Sequence, residues 1–389
     1  MVTLQTADNA LKSFYLGAVT EALNMKTNPL LAKIQQTSAS VVGKDVRKAI
    51  RIGMNGGIGA GSETGALPTA APNEYTQFVA TLKNLYGTIE ISDKAIRASA
   101  NNEGAFVNLL NDEMDSLVKS ASFNFGRMLF GDGTGRIATI IGVAPNNIIF
   151  LDTVNGLVEG MIIDVYTEDM QRLSNVFNRR IVSVDRKEKY IIVDGVEFIE
   201  DDAEVGFGVA VHESAGYEIT GLGALFSDKE IYGVDRKASF MKPYIADKVG
   251  DISEAKIQKA LDTIEENSGS KVNFIVCSWG VRRALLEYFK SFNVVLPTMQ
   301  FDGGFTAMSY NGIPIVVDRF CPAGCMYLLN TDDFKLHQLC DWQWLEGEDG
   351  KILKQVPGKP IYTATLVKYA ELMCERPNGQ GMLKGITEK

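Results

Sequence analysis

Val46-Arg47-Lys48-Ala49-Ile50-Arg51-Ile52 runs straight into Gly53-Met54-Asn55-Gly56-Gly57-Ile58-Gly59-Ala60-Gly61, and the reading of this junction decides the fold. The first run alternates in strand fashion. The glycine-rich stretch continues through Pro68 and Pro72, and a second alternating run follows from Thr76 to Ile91. Two extended segments around a flexible tip predict a long hairpin projecting from the body. The rival reading of Gly57, Gly59 and Gly61 is a phosphate cradle, but that fingerprint needs a helix immediately after the glycines. Another extended segment follows here, so a flexible hairpin tip is preferred.

Beyond the hairpin, Phe106, Leu109, Leu110, Leu117, Val118, Ala121, Phe125, Met128 and Leu129 recur at three- and four-residue spacings. They predict one long amphipathic helix, closed by the glycines of Gly131-Asp132-Gly133-Thr134-Gly135. Before the hairpin, Met1 to Val42 reads as an arm with a helical piece marked by Leu11, Phe14, Tyr15, Val19 and Leu23. After the helix the texture changes to short runs at Ile148 to Leu151, Met161 to Tyr166, Ile181 to Val184, Tyr190 to Val193 and Val205 to Val211. These predict a small all-β module. Helical spacing at Glu254 to Glu265 and Val281 to Phe292, with strands at Phe274 to Cys277, Ile313 to Val317 and Met326 to Leu329, predicts an α/β or α+β domain. Ile361 to Cys374 reads as a long strand returning to the platform of the long helix.

At 389 residues the chain exceeds a single core, and its 46% hydrophobic and 22% charged residues suit a packed, folded protein. A net charge of −9 argues against affinity built on phosphate neutralisation. Five scattered cysteines, Cys277, Cys321, Cys325, Cys340 and Cys374, show no disulfide framework and suit reduced thiols. Met1 to Leu11 lacks the cationic start and apolar stretch of a signal peptide, and no apolar run approaches about 18 residues, so synthesis and use in the cytoplasm, with no membrane partner, are expected.

Catalytic and metal chemistry finds little material. His212 and His337 are the only histidines and lie in different regions, and His337 reads as a satisfied structural residue in a strand from Phe334 to Leu339. Cys321 and Cys325 flank Pro322 and Gly324, yet zinc needs two more ligands, so buried thiols in a turn are the commoner reading. Asp132-Gly133-Thr134-Gly135 lacks the further carboxylates of a calcium loop. Trp279 opens a helix, and Trp342 and Trp344 share one strand face, which favours core or interface packing over a stacking platform. The acidic clusters Asp201-Asp202-Ala203-Glu204 and Glu346-Gly347-Glu348-Asp349 read as solvated loops. Basic residues gather at Lys44, Arg47, Lys48 and Arg51, and at Arg179, Arg180, Arg186, Lys187 and Lys189; in a single domain these are solvated faces, and in a shell they are candidate partners for acidic patches on neighbouring subunits. No catalytic, cofactor-binding or metal residue is assigned, and the chain is read as a non-enzyme without cofactors.

The order of these parts resembles the major capsid proteins of tailed bacteriophages, which share the Hong Kong 97 type fold. Four patterns carry the resemblance: Gly131-Asp132-Gly133-Thr134-Gly135, Asn273-Phe274-Ile275-Val276-Cys277-Ser278-Trp279, Tyr310-Asn311-Gly312-Ile313-Pro314-Ile315-Val316-Val317, and Tyr369-Ala370-Glu371-Leu372 before Pro377. The resemblance implies an α+β fold with an N-terminal arm (1–44), an extended E-loop hairpin (45–92), a peripheral domain with a spine helix (93–145), a small all-β insertion domain (146–213), an axial α/β domain (214–332) and a return to the peripheral domain (333–389). The insertion departs from the family's minimal plan.

By the same resemblance the chain is expected to self-assemble into the pentamers and hexamers of an icosahedral virion capsid enclosing double-stranded DNA without specific binding. A separate scaffolding protein and a portal protein are the expected partners, with decoration proteins as optional additions. The scaffold follows from Met1 leading almost directly into the arm. Inter-subunit contacts are expected at Arg47, Arg51, Gly57, Gly59, Gly61, Tyr75 and Phe78, and axial contacts at loops between Phe292 and Tyr310. The lysine, asparagine and glutamate that weld subunits in some members are not placed in this sequence, so no cross-link is carried over. Two rivals stay open: an encapsulin-like nanocompartment shell protein, and an α/β enzyme using Gly57 to Gly61 and the Glu254 to Leu329 region as a cofactor site.

Overall fold

Phe78 and Leu82 are buried in one alternation phase, whereas Leu85, Ile89 and Ile91 are buried in the other, and the chain changes sheets at the slip between them. A one-residue slip turns every side chain to the opposite face, so no single strand can satisfy both halves. In the computed structural model, Asp45–Ile52 and Glu74–Thr81 pair antiparallel as the hairpin, with Val41–Val42 along its outer edge. Lys83–Ser92 instead pairs along its length with Ile361–Cys374 in the body. The run read from Thr76 to Ile91 is therefore two strands, and the hairpin closes at Thr81. The structure describes residues 28–95, 103–167, 176–197, 203–292, 298–301, 305–347 and 350–389. The helical piece expected around Leu11 to Leu23 lies outside them.

The long helix, α1, spans Glu103–Met128. It lies between two sheets. One is the body sheet, in which Phe334–Trp344 and Lys83–Ser92 flank Ile361–Cys374, with Gln35–Thr37 added in parallel on the far side of Phe334–Trp344. Phe125 meets Trp342 of that sheet edge-on at 6.2 Å. The other is a mixed seven-stranded sheet in the order Tyr244–Ala246, Gly381–Leu383, Met326–Leu329, Phe274–Cys277, Ile313–Val317, Phe305–Tyr310, Thr298–Phe301. Phe130, just beyond α1, meets its Tyr327 at 6.0 Å.

The far face of the seven-stranded sheet is covered by α2 (Glu254–Ser268) and α3 (Trp279–Ser291), whose Ile257, Ile264, Val281, Leu285 and Phe289 pack with Ile275, Cys277 and Ile315. Phe274–Cys277 is buried on both faces, as a strand between two helical layers must be. Gly269, at φ 65°, ends α2 with its N–H on the Glu265 carbonyl, and the Ser278 hydroxyl caps α3. The segment between Phe292 and Tyr310, read as loops, contains the strands Thr298–Phe301 and Phe305–Tyr310.

The β-rich region closes into a six-stranded barrel of Ala138–Ala144, Ile148–Leu151, Ile162–Tyr166, Arg179–Asp185, Tyr190–Val193 and Gly208–Val211. It begins upstream of the boundary read at residue 146. Ile140, Ile149, Leu151, Ile163, Val165, Ile181, Ile191 and Val209 fill its interior. Arg127, near the end of α1, anchors the barrel's exit segment with paired bonds to Glu218 of 2.9 and 2.5 Å, both side chains almost fully buried. Removing one member strands a charge away from water, whereas replacing both with apolar groups does not. Glu218→Ala is expected to lower unfolding free energy by about 3–5 kcal/mol. Arg127→Met combined with Glu218→Leu should cost far less in the same chemical denaturation measurement.

Candidate subunit interface

The hairpin is fixed at its base and unsupported at its tip. At the base, Val46, Phe78 and Leu82 join Ile231, Tyr232, Met241 and Met373 in a small core of their own. Tyr232 ties this core together: its carbonyl accepts Val79 N–H at 3.0 Å, its ring lies 5.5 Å from Phe78, and its hydroxyl donates to Leu372 O and accepts from Cys374 N–H. Burial holds that hydroxyl protonated far above its usual range. The loop carrying Tyr232 is shaped by Arg236, whose guanidinium donates to the carbonyls of Lys229, Met241, Ala224 and Leu225 at 2.6–3.1 Å. Five donors in a rigid fork suit a guanidinium to this task.

Charge completes the anchor. Lys48 of the hairpin pairs with Glu375, which also meets Lys335 at 3.1 Å. Burial pushes the Glu375 carboxyl upward, but the bonds from Lys48 and Lys335 prevail and hold it below the usual range. Beside it His337 donates from Nδ1 to the Ala39 carbonyl at 2.9 Å, while its enclosed Nε2 meets no partner. The ring is thus the neutral Nδ1–H tautomer. Burial, reinforced by the Lys48 and Lys335 charges, lowers its pKa against the bond to Ala39.

Past Ile50 the hairpin lifts from the body. A cleft of about 540 Å³ opens between Lys48–Met54 and Phe240, Ser268, Asp333, Glu375, Arg376 and Asn378. Met54, Ile58 and Leu67 are 86%, 78% and 90% exposed at the tip. Gly53 takes the left-handed conformation at φ 77° where the strand breaks off. Gly57, Gly59 and Gly61 lie in the tip, and a Cβ on Gly59 would come within 3.3 Å of Pro68 on the returning arm. Glycine there permits close approach of the two arms. The phosphate-cradle reading requires a following helix, and Glu74–Thr81 follows as a strand.

Of the residues expected at subunit contacts, Arg47 and Arg51 are exposed, Arg47 pairing with Asp45 at 3.3 Å and Arg51 standing opposite the exposed Tyr75 in the hairpin register. Phe78 is corrected: it is fully buried within this chain, beside Tyr232, and does not reach the surface. Several residues of the second basic group bind their own barrel. Arg179 donates to Asp194 O and Val196 O, Arg186 to Leu157 O, and Lys189 to Asp152 O.

The remaining candidates are structural. Cys321 donates to the Cys325 and Pro322 carbonyls, and burial raises all three neighbouring thiols, Cys277 to about 12 and Cys325 to about 11. Among the described residues no group of three His, Cys, Asp or Glu has metal-holding geometry. No described helix is long and apolar enough to cross a membrane. Trp342 and Trp344 are buried in their strand, whereas Trp279 is 53% exposed. Asp201, Asp202, Glu348 and Asp349 lie outside the described residues. Asp132 accepts from Thr134 N–H and Oγ1, making the turn that ends α1. Two fully buried charges were not singled out from the sequence. Asp164 accepts from Asn178 N–H, Glu213 N–H, His212 Nδ1 and Tyr166 Oη. Lys368 pairs with Asp341 at 2.6 Å beneath Phe125 and Trp342. An acid or base inside an apolar strand, as in Ile162-Ile163-Asp164-Val165, is the signal that marks them.

No family model matches the chain, and no curated protein matches it by sequence. Solved structures do match. The capsid asymmetric unit of cyanophage A-1(L) superposes with a TM-score of 0.55 at 11% identity, covering 95% of this chain and 93% of that one. The capsid protein of a native GTA particle covers 92% and 90% at 11% identity, TM-score 0.47. The SrpI encapsulin of Synechococcus elongatus PCC 7942 covers 91% and 85% at 9% identity, TM-score 0.44. The cyanophage likeness establishes the fold: the chain has a mixed α+β bacteriophage capsid-protein fold, present over nearly its whole length.

Within this fold Glu371 provides a titratable reporter. It is fully buried, accepts Thr220 N–H at 2.7 Å and Leu372 N–H at 3.0 Å, and burial raises its pKa to about 7. Between the unfolded value of 4.5 and about 7 the native state keeps a proton that the unfolded chain has lost, so this group's contribution to stability falls as pH rises through that window. Glu371→Gln should abolish that slope, gaining on the parent by on the order of 2 kcal/mol between pH 5 and pH 8 in urea titrations.

Proposed function

We propose that this chain is the major capsid protein of a tailed bacteriophage, assembling into pentamers and hexamers of an icosahedral shell that encloses double-stranded DNA. The observation that carries the reading is the hairpin. A fold shared with a phage capsid subunit holds out a two-stranded arm whose base is packed and whose apolar tip is solvent-exposed. A lone subunit gains nothing from exposing Met54, Ile58 and Leu67, whereas a neighbour can bury them. In this reading the hairpin is the E-loop, α1 the spine helix, and the seven-stranded sheet with α2 and α3 the axial domain. The body sheet belongs to the peripheral domain, and the barrel is an insertion. The arm, 1–44, reaches a neighbour, and Arg47, Arg51, Gly57, Gly59, Gly61 and Tyr75 supply contacts.

Net charge of −9 suits a wall that must hold DNA without adhering to it. Association through repeated surfaces calls for no catalytic group, and the chain acts as a structural protein. A separate scaffolding protein, a portal protein and decoration proteins are its proposed partners, the virion its site of action and the host cytoplasm its place of assembly.

Light scattering with electron microscopy of the purified chain, alone and with a scaffolding protein, is expected to give closed shells, rings or tubes with five-fold and six-fold units. A small monodisperse species under both conditions overturns the reading. Nucleic acid inside shells formed in cells supports a capsid, and a packaged enzyme would make the chain a nanocompartment shell. Replacing residues 54–72 with a short Gly-Ser turn should leave the fold and its denaturation midpoint nearly unchanged, because the tip packs on nothing beneath it, while abolishing closed shells.

A further inference from the structure

Helix α3 presents two unlike sides. Val281, Ala284, Leu285 and Phe289 are buried on the seven-stranded sheet. Trp279, Arg283, Leu286 and Lys290, three or four residues apart, line the outward side. Trp279 is 53% exposed and Leu286 44%, so the largest apolar side chain of the helix faces solvent. Tryptophan and arginine beside an aliphatic residue are the types that dominate binding energy when a partner covers them. The sheet does not need them, since its own face of α3 is complete.

Helix α2 lies on the same face of the same sheet, its Ile264 seated on Gly381 near one edge. Its last turns carry Asp262, Glu265 and Glu266 outward. Glu265 is answered by Lys271 at 3.5 Å. The outward charge of α2 in this half is therefore opposite in sign to Lys290 at the end of α3; Arg283 already donates to the Lys389 carbonyl of its own chain, and Glu287 lies exposed between them. An arrangement that sets the α2 side of one copy against the α3 side of the next is a head-to-tail contact, and such contacts close into rings when the rotation closes.

We infer that the Trp279–Lys290 stripe of α3 is an inter-subunit surface, covered by the acidic C-terminal half of α2 from a neighbouring copy of this chain. The inference rests on the shell reading above and names a contact that the hairpin does not make. Trp279 and Leu286 fill the centre of the contact, and Lys290 faces Glu266 at its rim. The rim pair steers and registers the copies, and the Trp279 side chain supplies the buried anchor.

Trp342 and Trp344 are buried within the subunit, so Trp279 is the tryptophan that acrylamide reaches in the unassembled chain. The test compares acrylamide quenching of the full-length chain before and after assembly, then repeats assembly with Lys290→Glu, Glu266→Lys and both together. Trp279 should become protected on assembly. Each single reversal should weaken assembly by about tenfold in the critical concentration, and the double reversal should restore it. Closed shells in which Trp279 stays fully quenchable overturn the inference and leave the shell reading standing. Protection without rescue by the double reversal also overturns it, because the covering surface is then not α2. Failure of the parent chain to assemble at all overturns the shell reading itself.

Discussion

Helix α1 is buried against two sheets at once, and the rest of the architecture depends on that double burial. Phe125 packs on Trp342 of the body sheet, and Phe130, just past the helix end, packs on Tyr327 of the seven-stranded sheet. The two sheets share one core, which runs from Leu85, Ile89 and Leu366 through Met114 and Leu129 to Phe274, Val276 and Leu329. A helix that is apolar on two sides couples the sheets, so neither can be displaced without exposing the residues of both. Polar groups reinforce the same place. Lys368, fully buried under Phe125 and Trp342, keeps its charge answered by Asp341, and Arg127 carries the restraint on to Glu218 beyond the barrel.

On this stiff centre the protein places segments of different self-sufficiency. The barrel closes on itself, leaving no strand edge, and keeps Asp164 fully engaged with its own backbone and side chains. The hairpin is the opposite case. Its base is secured by Phe78, Tyr232 and the Lys48–Glu375 pair, yet its tip exposes apolar side chains that water opposes. The boundary between the two regimes falls at Lys48 to Ile50, where the cleft opens. Covering such a surface would be favourable, since each exposed apolar side chain keeps its hydration cost until it is buried.

Much of the fold is legible in the sequence wherever a run of β-branched residues is bounded by turn residues. Ile148–Leu151, Tyr190–Val193, Phe274–Cys277, Ile313–Val317, Met326–Leu329 and Ile361–Cys374 carry the bounds that their composition predicts. Ala138–Ala144 carries a weak strand signal because alanine, threonine and glycine dilute its two isoleucines, although its pairing with Ile148–Leu151 starts the barrel. The change of sheet at Leu82 is present in the sequence as a slip of alternation, from Phe78 and Leu82 to Leu85, Ile89 and Ile91, so the apolar period differs between the two halves of the run. The same count separates Tyr75 from Phe78, since residues three apart on a strand face opposite sides, so both could not lie on one contact surface. What the sequence could not reveal are the long-range polar pairings. Arg127 with Glu218 and Lys48 with Glu375 join positions far apart in the chain, and nothing local marks them as partners.

The distribution of open strand edges gives those segments a direction. Lys83–Ser92 is paired on one side by Ile361–Cys374, and among the described residues no strand pairs its other side. Its outward face alternates Asn84, Tyr86, Thr88, Glu90 and Ser92, polar side chains that discourage indiscriminate pairing while leaving the backbone edge usable. The edge is thus polar on its outward face and apolar beneath, with Leu85, Ile89 and Ile91 held in the core under α1. The hairpin and this edge meet at Leu82, one residue in the buried base core. Any displacement of the hairpin base therefore acts through Leu82 on the strand against which α1 is packed, because only Leu82 separates Glu74–Thr81 from Lys83–Ser92.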